Sequence, residues 1–237
     1  MRIPISPAFL AILHAALPAA DWPAFRGPNA SGLSSAKNIP IEFGPNRNVL
    51  WKIPLPPGTS SPIFAADRLY LTAAESGQLL TFAIDRATGR ILWRRALPQN
   101  RREELHQLNS PASATPVTDG TNVYVFFGDF GLASYGPDGE ERWRLPLGPF
   151  HNFHGMGTSP ILAGGKLILS CDQDVGSFLL AVDPDTGKQL WRTPREAVVH
   201  GFATPSYYKP ASGPAQIIVP GSYRLDAYSA DDGRELW

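Results

Sequence analysis

The 237-residue chain carries 21 basic and 21 acidic side chains and no formal net charge, so nothing in its composition draws it toward nucleic acid or an anionic membrane surface. Its single cysteine, Cys171, excludes an internal disulfide. No stretch beyond the first residues approaches the roughly 18 consecutive apolar residues of a membrane-spanning helix.

In chain order, Met1–Ala20 reads as a secretory leader. Arg2 is the charged start, Ile3–Leu17 is mostly apolar, and Pro18-Ala19-Ala20 places small residues near a cut. Residues 1–20 are therefore expected to be a signal peptide and 21–237 one domain. The single cysteine, Cys171, is far from the cut, so no lipid anchor is expected, and the chain is expected to be periplasmic or secreted. Val49-Leu50-Trp51 reads as the outer strand of a sheet begun by the N-terminal segment.

From residue 61 onward the chain repeats. AIDRATGRILW at 83–93 returns as AVDPDTGKQLW at 181–191, and more loosely as ASYGPDGEERW at 133–143 and AYSADDGRELW at 227–237. Ala83, Ala133, Ala181 and Ala227 lie at steps of 50, 48 and 46 residues, and Trp93, Trp143, Trp191 and Trp237 keep the same steps. A Ser/Thr-Pro pair runs in phase, with Pro62, Pro116, Pro160 and Pro205 each 27 to 32 residues before its tryptophan. A period of about 40–50 residues with strand-like content indicates a propeller or a similar stacked array.

Each repeat reads as four short strands. A brief apolar run follows the proline and ends in a turn: Ala66-Asp67, Asp119-Gly120 or Gly164-Gly165. Then come Arg68–Thr72, Asn122–Phe127 and Lys166–Ser170, a polar loop, and a third run such as Leu79–Ile84 or Phe178–Val182. The acid-TG turn leads into a last strand ending in tryptophan. No segment sustains a 3.6-residue period, so little helix is expected past the leader. Gly89 and Gly187 supply the positive φ of a tight turn. Asp85 and Asp183 can accept backbone N–H groups, as can the hydroxyls of Thr88 and Thr186. The tryptophan is the plate between neighbouring sheets. Burying it removes roughly 150–250 Å² from water, a gross gain of roughly 4–6 kcal/mol before entropy at about 25 cal/mol per Å².

The phrase resembles the tryptophan-docking motif of the pyrroloquinoline-quinone (PQQ)-type β-propeller repeats. Asp21-Trp22-Pro23-Ala24-Phe25-Arg26-Gly27-Pro28-Asn29 resembles the D-W-P-x-F-R-G-P segment at the mature N-terminus of secreted members. The resemblance covers 21–237 and implies an all-β fold, a propeller of four-stranded antiparallel blades. About four to five blades are present, and family propellers usually have about seven or eight. An incomplete ring is therefore expected, as part of a longer product or as a half-ring that closes by forming a homodimer.

In such a propeller the loops leading into each inner strand share one face with the loops between second and third strands. Here they gather His106, Asn109, His151, Asn152, His154 and His200, with Glu75, Asp129, Asp172, Gln173, Asp174 and Ser222-Tyr223-Arg224. His154 and His200 are expected on equivalent loops of adjacent blades. His151, His154, His200, Asp129, Asp172 and Asp174 are thus the candidate ligand residues, for a protein or small molecule at the propeller mouth. The bland reading is a routinely polar mouth with histidines satisfied by loop carboxylates. No metal site is expected, because His-x-x-His at 151–154 has no local cysteine or acid to complete it. Cys171 stands beside Asp172, whose charge disfavours a thiolate. Arg101-Arg102-Glu103-Glu104 reads as a solvated charge run, or alternatively a partner-binding loop.

Neither a nucleophile elbow nor a phosphate loop is present. The resemblance makes PQQ conceivable as a cofactor. However, one cysteine cannot form the dehydrogenases' vicinal pair, and their calcium motif is not recognisable. The sequence therefore points to a non-catalytic binding or scaffold module. The alternatives are part of a PQQ-dependent alcohol or sugar dehydrogenase and, more thinly, a hydrolase or lyase using His154 and His200 as acid and base.

Overall fold

A computed structural model describes residues 21–37 and 39–237; the expected leader, 1–20, lies outside the described residues. Fifteen strands form four antiparallel sheets, each a simple meander. Blade 1 comprises β1 (Ile63–Ala65), β2 (Arg68–Glu75), β3 (Gln78–Asp85) and β4 (Ile91–Pro98). Blade 2 comprises β5 (Val117–Thr118), β6 (Val123–Phe127), β7 (Gly131–Tyr135) and β8 (Glu141–Pro146). Blade 3 comprises β9 (Ile161–Ala163), β10 (Lys166–Cys171), β11 (Phe178–Val182) and β12 (Gln189–Pro194). Blade 4 has β13 (Ser206–Tyr208), β14 (Gln216–Gly221) and β15 (Arg224–Ser229). Glu235 bridges Tyr228 beside β15, where the outer strand of a blade runs. The only helical turn among the described residues is η1, Pro28–Ala30.

Burial follows position within a blade. The middle strands β6, β7 and β11 are buried at every residue, because each lies between two neighbouring sheets and must be apolar on both faces. The outer strand β4 reads exposed, intermediate, buried in alternation, the pattern of a rim strand with one face inward. Separate apolar clusters join blade 1 to blade 2, through Tyr70, Trp93, Val125 and Tyr135, and blade 2 to blade 3, through Tyr124, Trp143, Leu169 and Leu180. A third joins blade 3 to blade 4, through Ile168, Ala181, Ile217 and Tyr228. Among the described residues no cluster joins blade 4 to blade 1, so the sheets form an arc of a β-propeller.

The repeated phrase is the joint between blades. Each indole lies flat on the turn glycine of the following blade: Trp93 on Gly139, Trp143 on Gly187, Trp191 on Gly233. A Cβ at those glycines would stand 2.8, 2.7 and 2.5 Å from the ring, and all three have φ between 72° and 78°. The glycine therefore does more than the expected turn geometry, since its missing side chain is the seat for the plate. Indole N–H groups donate to turn carbonyls, Trp93 to Pro137 at 2.9 Å and Trp143 to Pro184 at 2.8 Å. The acids act as the sequence indicates. Asp85 Oδ1 accepts from Thr88 N at 2.8 Å and Thr88 Oγ1 at 2.7 Å, and Asp183 Oδ1 accepts from Thr186 N at 2.8 Å.

Trp51 takes the same seat. It stands 2.6 Å from a Cβ placed on Gly89 and donates to Arg86 O at 2.9 Å. With Ile53 and Leu55 it covers the face of blade 1 that carries Ala73, Leu80, Phe82 and Ile84. Trp51 thus marks a fifth blade position, ahead of blade 1. Trp237 is 56% exposed, because a docking tryptophan is covered by the blade after its own, and none follows blade 4 among the described residues.

Residues 21–30 cross the inner strands. Trp22 exchanges two backbone hydrogen bonds of 2.9 Å with Phe64 of β1, Pro23 O accepts from Thr118 N of β5, and η1 packs on β13. Asp21 Oδ1 accepts from Ala66 N, in the turn after β1, so this strap lies at the opposite end of the inner strands from their lead-in loops.

Gly187→Ala is expected to lower stability by more than the about 1–2 kcal/mol of left-handed backbone strain alone, because its Cβ also meets Trp143. Gly213→Ala, with φ 88° and no neighbour within 4 Å, bears the strain only and is the control. Trp143→Ala should cost about 3–5 kcal/mol. Urea unfolding followed by circular dichroism measures all three, and equal losses for the two glycine variants would contradict the seat.

The Thr88 hydroxyl and amide hold the Asp85 carboxyl below its usual range, and the Thr186 amide does the same for Asp183. Their contribution is complete above the unfolded carboxylate pKa of about 4 and fades as pH falls through the lower folded values. An Asp85→Asn, Asp183→Asn variant should accordingly lose less stability than the native chain between about pH 4 and pH 2, read as the shift of the urea midpoint with pH.

Candidate functional site

The strand connections hold the mouth together. Gln99 N, just after β4, donates to Gly77 O of the β2–β3 turn, Leu147 N to Phe130 O, and Arg195 N to Ser177 O. Each lead-in loop thus starts beside its own blade's second-to-third connection, and the two loop sets share one face as the sequence indicates. Three lead-in loops, 99–116, 147–160 and 195–205, then converge on the next blade.

The candidate acids divide. Asp129 is buried, accepts from Glu103 N at 2.9 Å, and also accepts from the Gln99 amide. Asp172 is buried in an ion pair with Arg195, whose Nε and Nη2 donate to its two oxygens at 2.7 and 3.2 Å. Arg195 Nη1 reaches Tyr228 OH at 2.7 Å and stands 3.1 Å from Asp226 Oδ2. One fully buried guanidinium therefore bridges blades 3 and 4, and burial keeps the Tyr228 phenol protonated, pushed up to about 12. Asp174 is the partly exposed member. Its Oδ1 lies 3.0 Å from His200 Nδ1, and its N donates to His151 O.

The histidines gather with aromatic rings. His154 lies 3.9 Å from Phe153, 5.1 Å from His106 in an edge contact, and 6.0 Å from Phe202, centroid to centroid. Phe153 meets His200 edge-on at 5.2 Å, and His200 lies 6.4 Å from Phe202. Three lead-in loops thus supply one partly exposed cluster. His151 is exposed and contributes its backbone, with N donating to Gln173 Oε1 at 2.8 Å. Among the described residues no group of three or more His, Cys, Asp or Glu side chains could hold a metal ion.

The charge run at 101–104 is half embedded rather than fully solvated. Arg101 donates to Gly128 O at 2.6 Å and to Leu147 O, and Glu103 Oε1 accepts from Phe150 N at 2.9 Å. Burial pushes the Glu103 carboxyl up despite Arg101 beside it. Arg102 and Glu104 are the exposed members. Cys171 is fully buried, and that burial, with Asp172 next to it, pushes the thiol well up, which leaves it inert as a nucleophile.

Sequence reasoning missed Arg195, Phe153 and Phe202. A lone arginine after a strand carries no pattern, and a phenylalanine beside a histidine reads as core. The one available signal is the pair of strings HNFHG and HGF, which place an aromatic next to a histidine in two successive lead-in loops.

Arg195→Met should cost about 3–5 kcal/mol in denaturant unfolding, since it strands Asp172 and Asp226 as buried unpaired charges. Arg195→Lys should recover only part of that, because a single ammonium cannot serve two carboxylates and a phenol. Native-like stability of Arg195→Met would contradict the bridge.

The sequence matches no curated protein. In fold the chain is similar to the quinohemoprotein alcohol dehydrogenase ADHIIG from Pseudomonas putida HK5, with 16% identity and a TM-score of 0.61 over 92% of this chain and 39% of that one. It is also similar to a europium-containing methanol dehydrogenase, with 14% identity and a TM-score of 0.55 over 78% and 42%. BamB from Moraxella catarrhalis aligns at 16% identity and a TM-score of 0.51 over 74% and 50%. The chain thus spans half or less of the length of each of these structures. A family profile described as outer membrane protein assembly factor BamB matches residues 45–178 and 81–237. Those matches take in every docking tryptophan from Trp51 to Trp237, and the chain belongs to this family of PQQ-like β-propeller repeat proteins.

Proposed function

We propose that the chain is a non-catalytic binding or scaffold module whose working surface is the mouth. The observation that carries this is the convergence of three lead-in loops on Phe153, His154, His200 and Phe202, with both phenylalanines more than 40% exposed. An aromatic ring left in solvent gives up burial that a core position would provide, and a group of them on loops held by a rigid scaffold is the usual arrangement of a binding surface. Two of the three candidate acids are spent on the fold, Asp129 on loop 99–103 and Asp172 on Arg195, and the third, Asp174, is paired with His200. With the expected leader, such a module would work in the periplasm or outside the cell.

A quinoprotein dehydrogenase is the second reading, and the fold of the two dehydrogenase neighbours supports it. A PQQ tricarboxylate with its cation needs free basic groups and an open acid set. Among the described residues, Arg101 and Arg195 are committed to protein acceptors, Arg102 is the exposed arginine of the charge run, and no group of three or more His, Cys, Asp or Glu could hold the cation. One free guanidinium with no cation-binding group is less than such a ligand needs, so the described residues support this reading less than the first.

Titrating the protein with PQQ and calcium should produce no bound-quinone absorption band and no dye reduction with alcohols. A stoichiometric band with dye reduction would establish the second reading. Phe153→Ser with Phe202→Ser should cost less than the about 3–5 kcal/mol of removing a single buried aromatic ring, because both rings are nearly half exposed. A large loss would make these rings core rather than surface.

A further inference from the structure

Resting on that reading, we infer that the blade 1–3 side of the mouth binds a neutral oligosaccharide. Two adjoining clefts lie there. One, of about 380 Å³, runs between the lead-in loops after blades 1 and 2, with Phe153, His151 and Asp174 in its lining. The other, of about 960 Å³, is lined by residues 57–59, the β2–β3 turn at 75–77 and residues 107–111. Arg102 and Glu103 line both. A ligand longer than one sugar ring can therefore cross from one cleft to the other over the same two side chains. Described chain flanks the pair along the arc, residues 57–59 ahead of blade 1 and the Phe153–His154 pair with His200 and Phe202 toward blade 4.

Glu103 gives the clefts a fixed acceptor. Its side chain is 6% exposed. Oε1 accepts from Phe150 N at 2.9 Å and Arg101 Nε at 3.2 Å, while Oε2 accepts from no described residue. A Cβ at Gly128 would stand 3.1 Å from Oε2, so the bare glycine keeps the space beside that oxygen open. A buried carboxyl held by one oxygen and free at the other calls for a donor. A ligand hydroxyl supplies one without bringing a second charge.

The rest of the lining selects the class. A polyanion would meet Glu75, Glu103, Glu104 and Asp174, and a polycation would meet Arg102 where the two clefts join. Neither gains along the whole length. Between these charges stand Ser76, Gln99, Gln107, Asn109 and Ser110, each with donor and acceptor on one side chain. A sugar hydroxyl has the same double character. An apolar ligand would strip water from these groups and replace none of its bonds. Phe153, 45% exposed, offers a ring to the C–H face of a pyranose. The hydrogen-bonding groups are side chains on separate loops, not a row of backbone groups along a strand edge, the common way to hold an extended peptide.

The test titrates the whole chain with four neutral hexasaccharides, cellohexaose, maltohexaose, xylohexaose and chitohexaose, by isothermal calorimetry. At least one should bind saturably with Kd below ~1 mM, and at least ~10-fold more tightly than its own monosaccharide, because only the longer ligand spans both clefts. Phe153→Ala and Arg102→Ala should each weaken that binding by at least ~10-fold, with folding checked by circular dichroism. Leu190→Ser, at a position 47% exposed on the outer strand β12, should leave binding unchanged. Silence of all four hexasaccharides, equal binding of monosaccharide and hexasaccharide, or binding that both mouth variants leave intact would overturn the proposal. Tighter binding of an acetylated, amidated Gly-Ser decapeptide would overturn it in favour of a peptide. The binding-module reading survives each of these failures and falls on a different result, a bound-quinone band with dye reduction.

Discussion

The structure depends on one contact, an indole ring laid on a glycine. Each blade contributes the ring from its outer strand and the bare Cα from the turn before that strand, so every interface has one of each. The contact tolerates no side chain at the glycine, and it requires a positive φ that only glycine adopts freely. It also fixes spacing, because ring and glycine must recur at the same separation in every repeat. The near-constant step of 46 to 50 residues is therefore a consequence of geometry. Loop insertions are absorbed between tryptophan and proline, where the chain leaves the rim and returns to the inner strand.

That division leaves the lead-in loops free to vary. Docking at the rim and apolar packing between middle strands hold the blades together, so loops 99–116, 147–160 and 195–205 need only join outer strand to inner strand. They are long for that task, and they use the length in two ways. Their first residues bond back to their own blade, as Gln99, Leu147 and Arg195 do. Their middles then carry the histidine and phenylalanine cluster over the following blade. The strap at 21–30 lies at the other end of the inner strands, bonded to β1 and β5, which leaves the mouth as the face where the loops meet solvent.

Blade number and strand order were legible because their cause is local and repeated. Four tryptophan phrases and four Ser/Thr-Pro pairs give the meander, and Asp85 with Thr88 gives the turn. The second duty of Gly139 and Gly187 was hidden, because a turn glycine reads the same whether or not a ring from the previous blade rests on it. Asp129 and Asp172 looked like mouth ligands because the sequence places them on the correct connections. What it cannot show is the side-chain direction, which Arg195 decides for Asp172 and the backbone of Glu103 for Asp129. Arg195 itself lies 23 residues from Asp172 and 31 from Asp226, and no local pattern encodes such a bridge. His154 and His200 were placed on neighbouring loops correctly, while the aromatic character of their surroundings was missed.

The placement of charge in the mouth follows from these commitments. A carboxylate near the hub is surrounded by backbone amides and neighbouring loops, so it is stable only where hydrogen bonds replace its hydration. Blade 2 satisfies Asp129 with an amide of the lead-in loop, and blades 3 and 4 satisfy Asp172 and Asp226 with one guanidinium. With those acids turned inward, the acid left partly exposed beside the histidine and phenylalanine cluster is Asp174, held against His200. Arg195 thus draws two carboxylates of blades 3 and 4 down between the sheets, and the lead-in loops above it are left to carry the cluster.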